Sequence, residues 1–299
     1  MNGNGNGDGR SWMWPGELLA LGILGINRRN IEYLNELNPR THYPLVDDKV
    51  LTKGVCERHG VPVPETYAVL EYLGDLRYLE ERLGGRCEFV VKPSRGAAGR
   101  GVLVVSGRAG DDYLTAGSGP LTQAALRHHI SSILSGLYSI GGRPDRAIIE
   151  ERIRPHECFA RAAPLGTPDI RVIICRDEPV MAMLRLPTIE SRGRANLHQG
   201  AIAAGIDLGS GVTSGGVSHN RVVDLHPDTG APVAGITVPS WNAVLDTAVC
   251  LARSLGLGFV GVDIVLDAAR GPVVLEANAR PGLSIQIANG RGLLRALGA

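Results

Sequence analysis

Three groups of residues in this chain have the types and spacing that chemistry needs. In Val90-Val-Lys92-Pro-Ser-Arg-Gly96-Ala-Ala-Gly99-Arg-Gly101, a lysine leaves a β-branched run and a loop with three glycines follows. Glycines let backbone N–H groups wrap an anion closely, and Lys92, Arg95 and Arg100 add positive charge. The loop therefore suits a phosphate, with an ordinary exposed hairpin loop as the competing reading. The second group is Asp263 in GVDIVL, followed by Glu276 and Asn278 after VVL. Glu276 and Asn278 are two apart and fall on one face of a strand. If the two strands pair through the turn at 267–271, Asp263 shares that face. Two carboxylates and an amide oxygen are hard donors, suited to a Mg²⁺ that also binds substrate phosphates. Solvated acids near hairpin ends are the alternative, but an aspartate inside GVDIVL is costly to bury unpaired. The third group is Arg171 in DIRV and Arg185 in MAMLRL, each interrupting an apolar strand. Each needs an anionic partner, either a fixed carboxylate or a phosphate or substrate carboxylate.

These residues need elements to position them. EFVVK (88–92) and VLVV (102–105) read as strands around the glycine loop, and 147–150, 169–175 and 180–186 as further strands. The runs 261–266 and 272–276 read as a hairpin. Helical signals cover 47–58, 121–137 and 241–255, and two helices joined near Gly25 are expected between Pro15 and Asn38. LLALGILGI (18–26) reads as a buried helix, with an interface to a partner as the alternative. The stretch 205–239, dense in Gly, Ser, Thr and Pro, reads as strands with long loops. Residues 1–14, rich in Gly and Asn, read as a flexible tail. Strands and helices without a regular βαβ alternation favour an α+β architecture. The sequence Gly256-Leu-Gly258-Phe-Val-Gly261 matches a dinucleotide fingerprint but stands after a helix and before a strand, the reverse of what that mechanism needs. It reads as turn chemistry.

The composition excludes whole classes. With 299 residues, 44% of them hydrophobic, the chain can bury a sizeable core without staples. Lys plus Arg is 31 and Asp plus Glu 30, a net charge of +1, so no global field attracts nucleic acid or an anionic membrane. Aromatic residues are only 4%, too few for a basic surface with interleaved aromatic stacking. Cysteines at 56, 87, 158, 175 and 250 form no CxxC pair and suit neither a disulfide framework nor a zinc site. A reducing, cytoplasmic setting is expected. The apolar run at 18–26 is far short of a membrane span.

In this order, Asp48-Lys49, VVKP with its glycine loop, a hinge glutamate, DIR, a further arginine, GVD and E-x-N-x-x-PG resemble the ATP-grasp superfamily. DIRV (169–172), ANLHQGA (195–201), GVDIV (261–265) and LEANARPGL (275–283) are most similar to ligases that add glutamate to a ribosomal-protein C-terminus, and to α-L-glutamate ligase-like proteins. The resemblance runs from about Leu45 to Asn289, and LGINRRNIEYLNELNPR looks like the amino-terminal region of the ligase-like subgroup. It implies an ATP-grasp fold of two α+β subdomains clasping ATP, here 47–150 with the lid loop and 151–299 with the Mg²⁺ site. A short helical segment over 15–46 would stand where the full ligases carry a pre-ATP-grasp domain.

The resemblance also implies roles. Lys49, Lys92, Ser94, Gly96, Gly99 and Gly101 would hold ATP phosphates, and Glu151 to Ile153 would read adenine. Asp169 would meet the ribose hydroxyls, with Glu157 ranked second. Asp263, Glu276 and Asn278 would hold two Mg²⁺, for which Mn²⁺ can substitute. Arg171, Arg185 and Arg280 would be catalytic, the first two steadying the transferring phosphoryl group or an acylphosphate. Asn196, His198 and Gln199 would lie with Arg280 near the acceptor; the ligases carry a basic residue at Gln199, which bears on the carboxylate recognised. The implied activity is ATP-dependent ligation of a carboxylate to an amine through an acylphosphate, releasing ADP and phosphate. The partners would be ATP, a carboxylate and an amine (amino acid, peptide or protein), with a homo-oligomer left open. A non-catalytic nucleotide-binding module and a kinase without ligation are the alternatives.

Overall fold

The computed structural model describes residues 16, 20–116, 119–139, 141–163 and 165–298, so the tail expected at 1–14 lies outside the described residues. Two antiparallel sheets organise the chain. The first contains β1 (Thr66–Leu70), β2 (Phe89–Pro93), β3 (Leu103–Ala109), β4 (Asp112–Thr115), β5 (Gly119–Leu121) and β6 (Ala147–Glu150), in the order β1-β6-β2-β3-β4-β5. The second contains β7 (Asp169–Cys175), β8 (Glu178–Leu186), β9 (Ile202–Ile206), β10 (Thr213–Ser218), β11 (Arg221–Val223), β12 (Phe259–Asp267) and β13 (Gly271–Asn278). Its order is β11-β10-β9-β8-β7-β12-β13. The architecture is α+β, as expected. β1, β4 and β5 are short strands that the sequence reading did not separate from their loops.

Three helices matter for the site. α1 (Lys49–Arg58) begins one residue after Asp48, which is extended and caps it by accepting from the Val50 N–H. The single helix expected over 47–58 is therefore broken at Asp48, after a short turn over Pro44–Asp47. α2 (Gln123–Leu134) buries Leu126, Ile130, Ile133 and Leu134 against the first sheet, where Phe89 and Tyr113 meet edge to face at 5.4 Å. It is shorter at both ends than the helix expected over 121–137, because Thr122 caps its start and Ser135 ends it. α3 (Trp241–Leu255) covers one face of the second sheet, and Gly256 ends it in a left-handed conformation immediately before β12. The GLGFVG run is helix-to-strand turn chemistry, as its context indicated.

Strand alternation sorts the second sheet into two faces. Ile170, Val172 and Ile174 of β7 join the α3 core with Ala182, Leu184, Val262 and Ile264. The opposite face carries Ile173, Cys175, Met181 and Met183 under the N-terminal helical turns. Those turns run through Ile26–Arg28, a wider π-helical stretch Arg29–Leu34, and Asn35–Leu37. Tyr33 stacks at 5.5 Å from Phe259, and buried Asn38 donates to the Phe259 and Ala279 carbonyls while accepting from the Phe259 N–H.

The apolar run at 18–26 is not a buried helix over its described part. Leu21 and Ile26 are exposed, Leu24 is buried, and Gly22 has φ +71°. The chain is held there by buried Gln286, whose amide accepts from the Leu24 N–H at 2.8 Å and donates to the Leu24 carbonyl at 3.1 Å. Glycines at 22 and 25 break the helical pattern that the leucines suggest.

Candidate active site

The first sheet supplies a buried carboxylate held by two lysines. Glu150, at the end of β6, is fully enclosed; Lys53 lies 2.5 Å from one of its oxygens and Lys92 2.5 Å from the other. Lys92 comes from the neighbouring strand, where Val90 faces Glu150 in register, so Lys92 shares its face one step on. Lys53 comes from α1, one turn after Lys49. Burial pushes the Glu150 carboxyl up, but the two ammonium groups outweigh it and hold the group below its ordinary value. Burial, against the pull of Glu150, leaves Lys53 below the usual lysine range.

Asp48 ties α1 to the glycine loop. Its carboxylate accepts from Arg146 at 2.6 Å, from Arg95 at 3.1 Å and from the Ser94 hydroxyl. Burial raises this carboxyl, yet Ser94 and Arg146 bring it below its ordinary range. Ser94 is therefore fully buried on the floor of the loop, and Lys49 is aimed across it. Lys49 donates to the Gly96 carbonyl at 2.8 Å and lies 3.5 Å from Glu276 on the second sheet.

The loop returns through Ala98, Gly99 and Gly101, all with positive φ. At Gly101 a Cβ would stand 2.6 Å from the Tyr138 ring, so only glycine fits. The Gln199 amide donates to the Ala98 carbonyl at 3.1 Å, and a Cβ on Gly99 would touch Arg194 at 3.3 Å. The glycine loop thus rests on the 194–199 segment that connects β8 to β9.

That sheet supplies the complementary cluster. Arg171 on β7, Arg185 on β8 and Asp263 on β12 lie on one face by strand alternation. Arg171 donates to both Asp263 oxygens at 2.7 and 2.6 Å, and Arg185 reaches one of them at 2.8 Å. Arg185 also forms a two-pronged pair with Asp169, one prong at 2.7 Å. Burial raises the Asp169 carboxyl, with Arg185 opposing and Asp263 adding to the rise. Burial acts the same way on Asp263, but Arg171 and Arg185 hold it far below the usual range. A bulge completes the set. Asp263 faces Glu276, whereas Ile264 faces Val274, which leaves Leu275 as the extra residue and turns Glu276 toward Asp263. The Asn278 amide lies 3.4 Å from Asp263 and 3.5 Å from Glu276.

The donor set is compatible with a hard divalent cation. The Asp263 and Glu276 carboxylates converge with the Asn278 side chain, which turns its amide nitrogen toward them and would offer its oxygen after a flip of the amide. Glu276 is about a third exposed, and one Asp263 oxygen carries a single arginine bond. Among the described residues no group of three or more His, Cys, Asp or Glu side chains is arranged to hold a metal ion, so this set has only two carboxylates and relies on Asn278 for a third ligand.

The remaining expected residues are placed as follows. The Glu151 N–H donates to the Glu65 carbonyl, and its carboxylate pairs with Arg270 at 2.8 Å. Ile153 packs with Val265 and Val273, and among the described residues its N–H has no hydrogen-bond partner. Asp169, expected beside the ribose, has both oxygens on Arg185, whereas Glu157 is exposed at the turn after the hinge. Asn196 caps the turn Leu197–Gln199 by accepting from the His198 N–H. His198 lines a 250 Å³ cavity with Leu197, Ser218 and His219. Arg280 lies over the Tyr43 ring at 4.3 Å and 3.7 Å from Asp47, outside the arginine cluster. Sequence reasoning missed Lys53 altogether; its signal was the four-residue spacing from Lys49 on one helix face.

Comparison with known proteins gives the family and the fold. Residues 28–299 match the family described as sugar-transfer associated ATP-grasp. The chain is 26% identical over 247 residues to a probable α-L-glutamate ligase from Pseudoalteromonas translucida, covering 82% of this chain and 60% of that protein. It is 25% identical over 280 residues to a cyanophycin synthetase from Crocosphaera subtropica, covering 84% and 29% respectively. The chain thus spans less than two thirds of the length of these relatives. Among solved structures, D-alanine–D-alanine ligase from Bacillus anthracis complexed with ATP aligns with a TM-score of 0.50 at 16% identity, over 86% of this chain and 65% of that one. A biotin carboxylase from Campylobacter jejuni aligns with a TM-score of 0.53 at 16% identity, over 86% and 46%. Both share the fold, and the match over residues 28–299 makes this chain a member of the sugar-transfer associated ATP-grasp family.

Proposed function

We propose that this chain is an ATP-dependent ligase that joins a carboxylate to an amine and releases ADP and phosphate. The observation that carries it is Lys49, which links the glycine loop to Glu276 and so brings the phosphate-binding loop against the Asp263–Glu276–Asn278 set. Lys49 and Lys92 orient the ATP phosphates beneath Gly96, Gly99 and Gly101, while Ser94 fixes the loop through Asp48. The hinge Glu151 to Ile153 offers the Ile153 N–H to adenine, and Glu157 is the freer acceptor for the ribose hydroxyls. Asp263, Glu276 and Asn278 would hold Mg²⁺, two ions in this reading, which supplies neutralisation of phosphate charge. A substrate carboxylate oxygen attacks the γ-phosphorus, and the bond to ADP breaks. Arg171 and Arg185 stabilise the charge on the transferring group. The amine then attacks the acyl carbon of the acylphosphate, phosphate leaves, and the amine loses a proton. The loop resting on Gln199 excludes water that would hydrolyse the acylphosphate. Asn196, His198 and Arg280 lie toward the acceptor.

The test is ADP release from Mg-ATP with and without pooled amino acids and peptides, beside Glu276→Gln and Asp263→Asn. Turnover that needs a pool and falls about 10²–10³-fold in both variants supports the reading. Undiminished turnover in the variants sinks the cation assignment, and a stable phosphorylated product formed without amine makes the chain a kinase instead.

A further inference from the structure

A second polar cavity shares Arg280 with the acceptor side of the proposed site, and its other lining residues have no role in the chemistry above. It has a volume of 330 Å³ and is lined by Arg29, Asn30, Asn35, Arg40, Tyr43 and Arg280. The size is that of a small-molecule pocket at the low end of the usual range. Its charge is unbalanced. Arg29 donates to the Pro281 carbonyl at 2.7 Å and to the Asn30 side-chain oxygen, both neutral acceptors. Among the described residues, neither Arg29 nor Arg40 pairs with a carboxylate. Asp47, more than half exposed, is 3.7 Å from Arg280. Three guanidinium groups thus share one carboxylate, the exposed Asp47 paired with Arg280, in a protein whose net charge is +1. Burial and the neighbouring Arg280 both lower the proton affinity of Arg29, which marks mutual repulsion that an anion would relieve.

The cavity is also built rather than incidental. The π-helical stretch Arg29–Leu34 places Arg29, Asn30 and Leu34 on its wall, and such widened turns recur at functional sites. Tyr43 stacks on Arg280 and holds the guanidinium plane. Arg280 follows Asn278 by two residues, at most about 7 Å along the chain, so one wall of the cavity is tied to the strand end that carries the proposed cation donors.

We propose that this cavity binds an oxyanion, carboxylate or phosphate, that a substrate carries in addition to the carboxylate that reacts. Arg29 and Arg40 of the N-terminal segment, with Arg280, then select small acids bearing a second anionic group. The selection role rests on the ligase reading; the anion site does not.

The test is calorimetric titration of the full chain with succinate, inorganic phosphate and neutral succinamide at fixed ionic strength, with and without a non-hydrolysable ATP analogue. Wild type should bind succinate or phosphate saturably and ignore succinamide, and the anion preferred identifies the group. Arg29→Gln and Arg40→Gln should each weaken that binding about 10- to 100-fold, the size of a lost charge-assisted hydrogen bond. Arg40 is exposed, so Arg40→Gln keeps the test valid if Arg29→Gln unfolds. Absence of saturable binding of either anion, or unchanged affinity in folded Arg40→Gln and Arg29→Gln proteins, overturns the site. Anion binding that responds to both variants while no acid elicits ADP release upholds the site and removes the ligase reading. Turnover that shows no lower KM for dianionic than for monoanionic acids removes the selection role.

Discussion

Each sheet buries a carboxylate between two cations, yet the two arrangements differ in kind. Glu150 is held by lysines, whose ammonium groups are point charges on flexible stems. Asp263 is held by arginines, whose planar forks fix direction as well as charge, and Arg185 is itself braced by Asp169. Under the proposed function, one lysine of the pair would turn toward an arriving phosphate while Glu150 stays neutralised by the other. The arginine cluster cannot turn without losing several directed bonds at once. One side of the cleft is built to follow its ligand, the other to hold still.

The largest expected effect tests whether Glu150 is structural. Glu150→Gln leaves Lys53 and Lys92 buried without a counter-charge, and should cost about 3–5 kcal/mol of stability in chemical denaturation. A loss under 1 kcal/mol would mean that the lysines reach solvent freely, and the contrast with Asp263 would collapse. Arg185→Lys tests the other side. It keeps the charge but loses a prong of the fork, and turnover should fall about 10- to 100-fold with little change in ATP affinity. Equal activity would show that direction does not matter there.

A pH series sharpens the comparison further. The folded-state value of Glu150 is lowered, so its contribution is fully present above the ordinary value of 4.5 and is lost as pH falls through the folded value. The stability gap between wild type and Glu150→Gln should therefore shrink steadily below about pH 4.5. A gap that widens in acid would reverse the sign of the assignment. The smallest effect is expected at the loop. Gly101→Ala places a Cβ against Tyr138 at positive φ and should cost about 1–2 kcal/mol. The backbone part of this cost persists even if Tyr138 swings away, so unchanged stability in chemical denaturation would mean that the loop leaves its left-handed conformation.

Much of the site was legible because strand parity is a strong rule. Glu276 and Asn278 two apart and a short turn at 267–271 were enough to put Asp263 on their face. The apolar strands around Arg171 and Arg185 marked both as needing an anion, but that Asp263 is that anion for both rests on the register of β7 with β12 and β8. Lys53 was not legible, since a lysine in the polar α1 sequence KVLTKGVCER reads as solvated until Glu150 is seen beneath it. The role of Asp169 was equally hidden, because its pairing with Arg185 depends on the register of β7 against β8. The run at 18–26 misled because leucine spacing outweighed two glycines. Its described part is instead tethered by the side chain of Gln286, a long-range contact that no local pattern announces.

The bulge at Leu275 carries one more consequence. Side chains on a strand change sides with every residue, so a single insertion or deletion inverts everything beyond it until the next irregularity. Here the bulge cancels such an inversion: Val274 faces the α3 core, and because Leu275 is taken up as the extra residue, Glu276 two positions on still faces the opposite side with Asp263. Ironing out the bulge with Leu275 in place would put Val274 and Glu276, two apart, on the same α3 face. It would carry Glu276 and Asn278 away from Asp263 with the Glu-x-Asn spelling intact, whereas deleting Leu275 would keep Glu276 opposite Asp263 in a regular strand. The position of the acidic residues is thus recorded in an offset of one residue, not in their identities, and comparisons of motif spelling alone would miss its loss.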